Sequence, residues 1–430
     1  MQKSETRDQK PECPATLDSG IRSLNSDLSG RLRICLVSAA YRPYPSGVSE
    51  HVHHLAEALR DLGQDVSILT TSFGRIQGTE GVRELAGKSE SEHSTPRSLD
   101  HSIPSPIPVT RFGRALLIPM NRSYATLPVG LRMSGQVKRF LAGGKFDIVH
   151  CHGLFWPEIS YWAIRHSRSV NLITFLTAGF KIHTTGSGIF RALFRGQLAG
   201  IHGRIAISQR ARQAAEPYIP GEFRIIPCGI DLDRFRPQQS TERRTRPGRV
   251  LFVGRLDERK GIEILLRAFP AVTKVVPGTR LSVVGAGPME EQARKTVDKL
   301  GLSTAVEFVG SARPEDLPRI YADCDVYCAP SLGGETLGIV LLEAMASGAP
   351  VVASRIPGYD ETVRDGIDGL LVPPAEPDAL ASALVSVLSD ESRRRTMAAA
   401  GLERAKEYAW PRIAQRTLEF YLELLATRPA

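Results

Sequence analysis

Two sets of short apolar segments, each alternating with amphipathic helix patterns, constrain the fold of this chain most strongly. In the first set, a buried strand pattern at 33–38 is followed by a helix from about 48 to 62 and a strand at 65–70. Strand, helix and strand at this spacing are typical of a parallel, doubly wound sheet. The alternation resumes at residue 250. We therefore predict an α/β protein of two Rossmann-like domains that face a cleft.

A polar segment rich in Pro, Arg and Thr separates the two sets and is interpreted as a linker. A chain of 430 residues also exceeds one ordinary hydrophobic core. The predicted segments are a disordered leader at 1–30, a first domain at 31–236, the linker at 237–249, a second domain at 250–408 and a last amphipathic helix at 409–430.

The periodicity also predicts the individual elements of both domains. In the first domain, further strands are predicted from residue 109, at 147–152, 171–176 and 203–208 and from 224, with helices at about 129–142, 156–167 and 207–217. In the second, the predicted strands are 250–254, 280–285, 305–309, 325–329 and 350–353. The predicted helices there are 261–275, 289–300, 315–322, 338–347, 377–389 and 391–408.

Composition narrows the class of protein. The first thirty residues are polar and of mixed charge, so no signal peptide is predicted, and no apolar run approaches the ~20 residues that span a bilayer. Six scattered cysteines favour buried thiols in a reducing cytoplasm over a zinc site. The net charge of +9 is uneven, with +13 over residues 101–215 and −4 from 251 to the end. The basic half indicates phosphorylated ligands or an anionic membrane, and we expect no nucleic-acid partner.

The stretch from Ala329 to Gly348 carries the most chemistry. It is interpreted as a strand end, a glycine turn and a helix start, with Glu335 and Glu343 eight positions apart across the junction. The first amides of a helix form a seat for phosphate. A carboxylate beside such a seat suits sugar hydroxyls, from which it accepts hydrogen bonds. The stretch therefore predicts a site for a diphosphate with polyol on both sides.

A charged turn, Gly254-Arg-Leu-Asp-Glu-Arg-Lys-Gly261, follows the first strand of the second domain. Open α/β sheets bind ligands at the carboxyl ends of their strands, so Arg255 and Lys260 are candidate partners for a diphosphate. Taken alone, the turn is more simply interpreted as a solvated charged loop. Because the stretch at 335–343 lies in the same domain, we prefer the interpretation that Arg255 and Lys260 bind a diphosphate.

Three further motifs are weaker. Val283-Val-Gly-Ala-Gly-Pro288 lacks the third glycine and the acidic partner of a dinucleotide fingerprint. Gly47, after the first strand, could let the backbone approach a ligand, although a plain turn glycine is as good an explanation. In His150-Cys-His152, both histidines fall on one face of a strand, and His152 could face the cleft. A structural role is commoner for either histidine alone, and no third ligand completes a metal site.

These motifs together resemble the retaining, nucleotide-sugar-dependent glycosyltransferases of the GT-B fold, the large family that includes glycogen and sucrose synthases. The resemblance runs from about residue 32 to 425. It implies that the last helix crosses back to the first domain, that the first domain binds the acceptor and that the second binds the donor. The implied donor residues are Arg255 and Lys260 on the diphosphate, Glu343 on the ribose, Glu335 on the sugar, Gly47 beside the diphosphate, Val309 near the base, His152 near the sugar, and the amides of Leu337, Gly338, Ile339 and Val340 on the phosphate.

Within this family, the chain is similar to bacterial phosphatidylinositol mannosyltransferases. The similar stretches are Asp325-Val-Tyr-Cys-Ala-Pro330 with the glycine turn after it, Thr174-Phe175, Gly203-Arg-Ile-Ala-Ile-Ser208 and Pro119-Met-Asn-Arg-Ser123. The chain departs from the pattern at Ser46, Ser49 and Leu176, where the family has glycine, glutamine and histidine. All three departures concern the acceptor side, for which the candidate residues are Ser49, Asn121 and Thr174.

The resemblance implies transfer of a hexose, with mannose from GDP-mannose favoured, to a lipid or polyol-phosphate acceptor. The enzyme would be cytoplasmic and peripheral at the inner face of the plasma membrane, with a nucleotide-sugar donor and an anionic membrane surface as partners, no cofactor and no metal. The alternatives are a UDP-sugar transferase acting on a soluble or polysaccharide-precursor acceptor, and a degenerate nucleotide-sugar-binding protein. A nicotinamide oxidoreductase is disfavoured, because no glycine-rich run follows the first strand.

Overall fold

A computed structural model describes residues 30–43, 46–73, 106–120, 123–130, 132–153, 158–177, 188, 191–192, 194–237 and 248–427. All but the last residue of the expected leader, most of the expected linker and the candidate acceptor residue Asn121 lie outside these ranges.

The first domain is built on an eight-stranded sheet in the order β4-β3-β2-β1-β5-β6-β7-β8. Its strands are β1 (Arg33–Ser38), β2 (Asp65–Phe73), β3 (Val109–Met120), β4 (Ser123–Val129), β5 (Ile148–His152), β6 (Val170–Phe175), β7 (Gly203–Ala206) and β8 (Arg224–Ile225). All neighbours are parallel except β3 and β4. The central strands β5 and β6 are buried along their whole length. This is expected for strands of a parallel sheet whose two faces are both covered by helices.

Five helices of the described chain belong to this sheet: α1 (Gly47–Asp61), α2 (Met133–Gly144), α3 (Ile159–His166), α4 (Arg195–Ala199) and α5 (Gln209–Ala215). The helix predicted from 129 begins only at Met133, because residues 123–129 instead form β4, an antiparallel partner of β3. Pro128 and Gly130 disfavour a helix at this point, and β3 is the pairing partner of the strand that forms instead. The short helix α4 had not been predicted.

The second domain holds six parallel strands in the order β11-β10-β9-β12-β13-β14. They are β9 (Arg249–Val253), β10 (Arg280–Val284), β11 (Val306–Gly310), β12 (Val326–Ala329), β13 (Val351–Ser354) and β14 (Gly369–Val372). The helices are α6 (Ile262–Val275), α7 (Glu290–Lys299), α8 (Leu317–Ala322), α9 (Ile339–Ala346), α10 (Tyr359–Thr362), α11 (Pro377–Ser389) and α12 (Glu391–Lys406). The strand β14 and helix α10, each four residues long, were not predicted.

The last helix, α13 (Trp410–Ala426), crosses back onto the first domain, as expected. Ile413, Ala414, Phe420 and Tyr421 are buried in one cluster with first-domain core residues of α1 and β1. The hydroxyl of Tyr421 lies 2.6 Å from Nδ1 of His150 on β5. The last helix therefore contributes to the core of the first domain.

The two domains also meet through Glu361 of α10. Its carboxylate accepts hydrogen bonds from the backbone amides of Gln209, at 2.6 Å, and Arg210, at 3.0 Å, at the start of α5. A carboxylate there satisfies amides that have no partner within the helix. This contact joins the carboxyl-end loops of the two sheets, and the cleft lies between those ends.

None of the described helices is long and apolar enough to span a membrane. Of the six cysteines, the five that lie in the described ranges are free thiols, and four of these, including Cys324 and Cys328, are buried. No group of three or more His, Cys, Asp or Glu side chains in that part of the chain is arranged to hold a metal ion.

Candidate active site

A cavity of about 480 Å³ lies between the carboxyl ends of the two sheets. One wall of the cavity is formed by the first domain, by the interdomain segment (residues 226–237, after β8) and by the start of α13. Its residues are Gly47, Val48, Glu50, His51, His54, Leu176, Ile207, Cys228, Gly229, Ile230, Asp231, Arg234, Phe235 and Trp410. The second-domain wall consists of Gly334, Glu335, Thr336, Leu337, Gly338, Ile339 and Glu343. Five of the predicted donor-site residues thus share one cavity with a sixth, Gly47, the first residue of α1.

The second-domain wall is a strand end, a turn and a helix start, as expected. The strand β12 ends at Ala329, and α9 begins at Ile339 after Gly338, whose φ is 78°. A β-carbon at Gly338 would lie 2.6 Å from the ring of Tyr359, so only glycine fits. No side chain caps α9 among the residues described. Its first amides therefore face the cavity side with the partial positive charge that attracts a phosphate.

Lys260 and Glu335 form an ion pair, with Nζ 2.8 Å from Oε1. Lys260 ends a 3-10 turn, Glu258–Lys260, that the side chain of Asp257 caps. The side chain of Lys260 is 18% exposed and that of Glu335 is 12% exposed, so water screens the pair weakly. The sequence predicted separate contacts to the diphosphate and the sugar, and the structure brings the two side chains into direct contact.

Arg255 lies on the same turn after β9, but its side chain is exposed and does not line the cavity. The predicted pair of cations is therefore divided in this structure. Lys260 pairs with Glu335, which lines the cavity, whereas Arg255 lies at the surface of the turn.

Glu343 is half-buried on α9 and also lines the cavity. Burial raises the pKa of its carboxyl to about 7, against the opposing effects of the Tyr321 hydroxyl and of Arg234. The hydroxyl of Tyr321 donates to Oε2 at 2.8 Å. One carboxyl oxygen is thus oriented by Tyr321, which leaves accepting capacity for the hydroxyls of a ligand.

The raised pKa of Glu343 predicts a dependence of stability on pH. The unfolded carboxyl has a pKa near 4.5 and the folded one about 7, so the folded state binds more protons between these values. The free energy of unfolding should therefore fall as pH rises from about 4.5 to 7, by up to ~3 kcal/mol from this group. In Glu343→Gln, the free energy of unfolding should change less with pH between about 4.5 and 7, as measured by urea unfolding at intervals of half a pH unit. The exposed Glu291→Gln is the matched control, and an unchanged slope in Glu343→Gln would contradict the assignment.

His152 does not face the cavity, and this corrects the prediction. Its ring is buried, Nδ1 lies 3.4 Å from the carbonyl oxygen of Val37, and the ring of His51 lies 5.3 Å away. The carboxyl-end histidine of β5 is covered because α1 packs over this face of the sheet and places His51 on the cavity wall. Burial lowers the pKa of His152 to about 4, so its ring is neutral at pH 7.

Other predicted residues lie away from the cavity. Ser49 and Thr174 are buried, and Oγ1 of Thr174 lies 2.6 Å from Nε2 of His150, so both belong to the interior rather than to an acceptor wall. The acceptor roles of Ser49 and Thr174 stay predictions, and the structure places neither side chain on the cavity wall. Val309 is 47% exposed on β11 and does not line the cavity, and neither does Val340.

Sequence reasoning missed several residues that line the first-domain wall. Glu50, His51 and His54 lie on α1, and the ring of His54 stacks on Trp410 with centroids 5.6 Å apart. The available signal was that Glu50 and His51 lie four and three positions before His54 in a predicted helix, which places them near one another on its surface. Trp410 carried no comparable signal, because it reaches this wall only through the return of α13.

Two family descriptions match the chain: "Glycosyltransferase Family 4" over residues 45–234 and "Glycosyl transferases group 1" over residues 233–404. The phosphatidyl-myo-inositol mannosyltransferase of Mycobacterium leprae is 35% identical over 92% of this chain and 98% of its own length. Its counterpart in Mycolicibacterium smegmatis is 33% identical over 91% and 93%. A glycogen synthase of Mycobacterium tuberculosis is 28% identical over 91% of this chain and 94% of its own.

Solved structures agree with the fold. A glycosyltransferase from Rickettsia africae superimposes with a TM-score of 0.70 at 19% identity, covering 93% of this chain and 100% of its own. Sucrose-phosphate synthase from Thermosynechococcus elongatus does so with a TM-score of 0.65 at 25% identity and the same coverage. The chain therefore belongs to the group 1 and family 4 glycosyltransferases of the GT-B fold, and it is a nucleotide-sugar-dependent hexosyltransferase similar in type to the phosphatidyl-myo-inositol mannosyltransferases.

Proposed function

We propose that this enzyme transfers mannose from GDP-mannose, with retention at the anomeric carbon, to a lipid or polyol-phosphate acceptor. The observation that carries the proposal is the 35% identity to a phosphatidyl-myo-inositol mannosyltransferase over 92% of the chain. The cavity supports it, because it joins a phosphate seat at the start of α9 to two carboxylates able to accept sugar hydroxyls.

The diphosphate would lie on the first amides of α9, with Lys260 and Arg255 as cations. Glu335 would accept hydrogen bonds from the sugar, and Glu343 from the ribose. The bond between the anomeric carbon of the sugar and the oxygen of the leaving phosphate breaks first. The acceptor approaches the anomeric carbon from the same face as this phosphate. The acceptor oxygen then bonds to the anomeric carbon, and its proton passes to the leaving phosphate. The protein contributes positioning and charge stabilisation, and we propose that these cations take the place of a metal.

The acceptor would meet the wall formed by Glu50, His51, His54 and Trp410. Burial lowers the pKa of His51, so it presents a neutral imidazole with one donor and one acceptor nitrogen. Leu176 makes part of this wall apolar. Neutral imidazole, carboxylate and indole together suit a hydroxyl-rich ring better than a bare anion. This arrangement favours a polyol headgroup in the cavity.

The test is an assay of the purified protein with GDP-mannose, UDP-glucose and UDP-N-acetylglucosamine. Each donor is offered with a lipid extract and, separately, with a soluble polyol phosphate, and products are identified by mass spectrometry. We expect a gain of one hexose on a lipid or polyol-phosphate acceptor from GDP-mannose. Transfer only from a UDP-sugar would replace this proposal with the alternative, for which the 28% identity to a glycogen synthase is the supporting observation. Binding of donors without transfer or hydrolysis would indicate a degenerate binding protein.

We also propose that the enzyme works at the inner face of the plasma membrane, where the basic first domain contacts anionic lipid. The support is the net charge of +13 over residues 101–215. Co-sedimentation should occur with anionic vesicles, weaken as salt rises, and be absent with neutral vesicles. Equal recovery with both vesicle types would contradict the electrostatic contact, and an absence of binding at low salt would favour a soluble phosphorylated acceptor.

A further inference from the structure

An arginine in the interdomain segment lines the cavity and had no predicted role. Arg234 lies in a turn that Asp231 organises, because Oδ1 of Asp231 accepts from the backbone amides of Asp233 and Arg234, each at 3.0 Å. The guanidinium carbon of Arg234 lies 4.9 Å from the ring centre of the buried Phe235. Backbone and side chain are therefore both restrained, with the planar group stacked on an aromatic face.

The same side chain reaches the second domain. Nη2 of Arg234 donates a hydrogen bond to the carbonyl oxygen of Pro314 at 2.5 Å. Pro314 begins the 3-10 turn Pro314–Asp316, five residues after Val309, which the resemblance places near the nucleobase. One guanidinium thus joins the interdomain segment to the turn that follows β11.

Arg234 also acts on Glu343. Both side chains line the cavity, and the positive charge of Arg234 lowers the pKa of the Glu343 carboxyl against the stronger raising effect of burial. The other titratable groups that act on this carboxyl are the phenols of Tyr321 on α8 and Tyr327 on β12. Burial raises the pKa of both phenols well above the ordinary value, so both are neutral. In the described part of the chain, Arg234 is the cation that favours the carboxylate form of Glu343.

We propose that Arg234 is a positioning residue of the donor site, which holds the turn at Pro314 and the carboxylate of Glu343 in the arrangement that receives the nucleoside. This inference rests on the donor site proposed above. A carboxylate accepts two ribose hydroxyls, whereas a protonated carboxyl loses part of that capacity. Removal of the cation should therefore weaken nucleotide binding most near neutral pH.

The test is isothermal titration of GDP, and separately of UDP, into the full-length protein from pH 6 to 8.5. In the wild type, binding of the preferred nucleotide should strengthen as pH rises through about 7, the pKa of Glu343. Arg234→Gln should weaken binding at pH 7 about tenfold, the effect expected for a lost charge-assisted contact, and should move the pH transition upward. Arg234→Lys should keep the transition near that of the wild type. The neighbouring exposed Arg236→Gln is the control and should match the wild type in both respects.

Three outcomes overturn the inference: wild-type affinity and transition in Arg234→Gln, an equal loss at every pH in both Arg234 variants, or the same effect in Arg236→Gln. Thermal unfolding of each variant shows whether it has lost structure in general. If Arg234→Gln has, Arg234→Lys is compared with the wild type instead. A wild type that binds nucleotide but transfers no mannose would sink the proposed function and leave the role of Arg234 standing. A wild type that binds neither nucleotide would remove the donor site and this inference with it.

Discussion

Lys260→Ala should lower kcat by about 10²–10³-fold, the effect of removing one preorganised donor from a developing oxyanion. Its ammonium is 2.8 Å from Oε1 of Glu335, a residue that lines the cavity together with the predicted phosphate seat. The substitution removes a charge from the leaving diphosphate and also leaves a nearly buried carboxylate without its cation. Initial rates with the preferred donor at saturating concentration provide the measurement.

Two further variants separate these effects. Lys274→Ala removes an exposed lysine from the end of α6 in the same domain and should leave kcat unchanged. In Lys260→Ala/Glu335→Gln the uncompensated carboxylate is absent, so thermal stability should return towards that of the wild type while kcat stays low. Near-normal turnover in Lys260→Ala would exclude Lys260 from stabilising the leaving group.

Gly261→Ala should destabilise the protein by at least about 3 kcal/mol, the sum of left-handed strain and overpacking. Gly261 has a φ of 68°, and an added β-carbon would lie 1.9 Å from the carbonyl oxygen of Pro330. Neither backbone can give way cheaply, because Gly261 links the Lys260 turn to α6 and Pro330 follows β12. The measurement is the shift of the urea unfolding midpoint.

Gly301→Ala is the matched control. Its φ is 67°, almost the same as that of Gly261, but an added β-carbon would meet nothing within 4 Å. This variant should lose only about 1–2 kcal/mol, the cost of the left-handed conformation alone. Equal losses in the two variants would mean that the close approach of Pro330 carries no energetic weight.

Much of the fold could be predicted because its signals are local. The apolar period placed α11 at residues 377–389, where the structure has it, and located every strand of the second sheet except β14. The failures have local causes as well. The strand β4 was taken for the start of a helix, and the four-residue elements β14 and α10 were not predicted.

The residues of the candidate site also fall into those that the local sequence reveals and those that it does not. Glu335 and Glu343 were found because a glycine turn followed by a helix start is visible within twenty residues of sequence. His152 was placed on the wrong surface, because strand alternation gives the face of a sheet but not the helix that covers it. Trp410, His51 and Arg234 come from distant segments that only the packing of α13, α1 and the interdomain segment brings to one cavity.

By itself, the sequence determined the two-domain α/β architecture and the class of donor chemistry, since strand and helix periods and the turn at 333–338 depend on neighbours in the chain. Only the tertiary structure decided that Lys260 pairs with Glu335, that His51 covers His152 and that Arg234 bonds to Pro314 while lining one cavity with Glu343. The physical reason is that these contacts depend on long-range packing, which the local period of the chain does not encode.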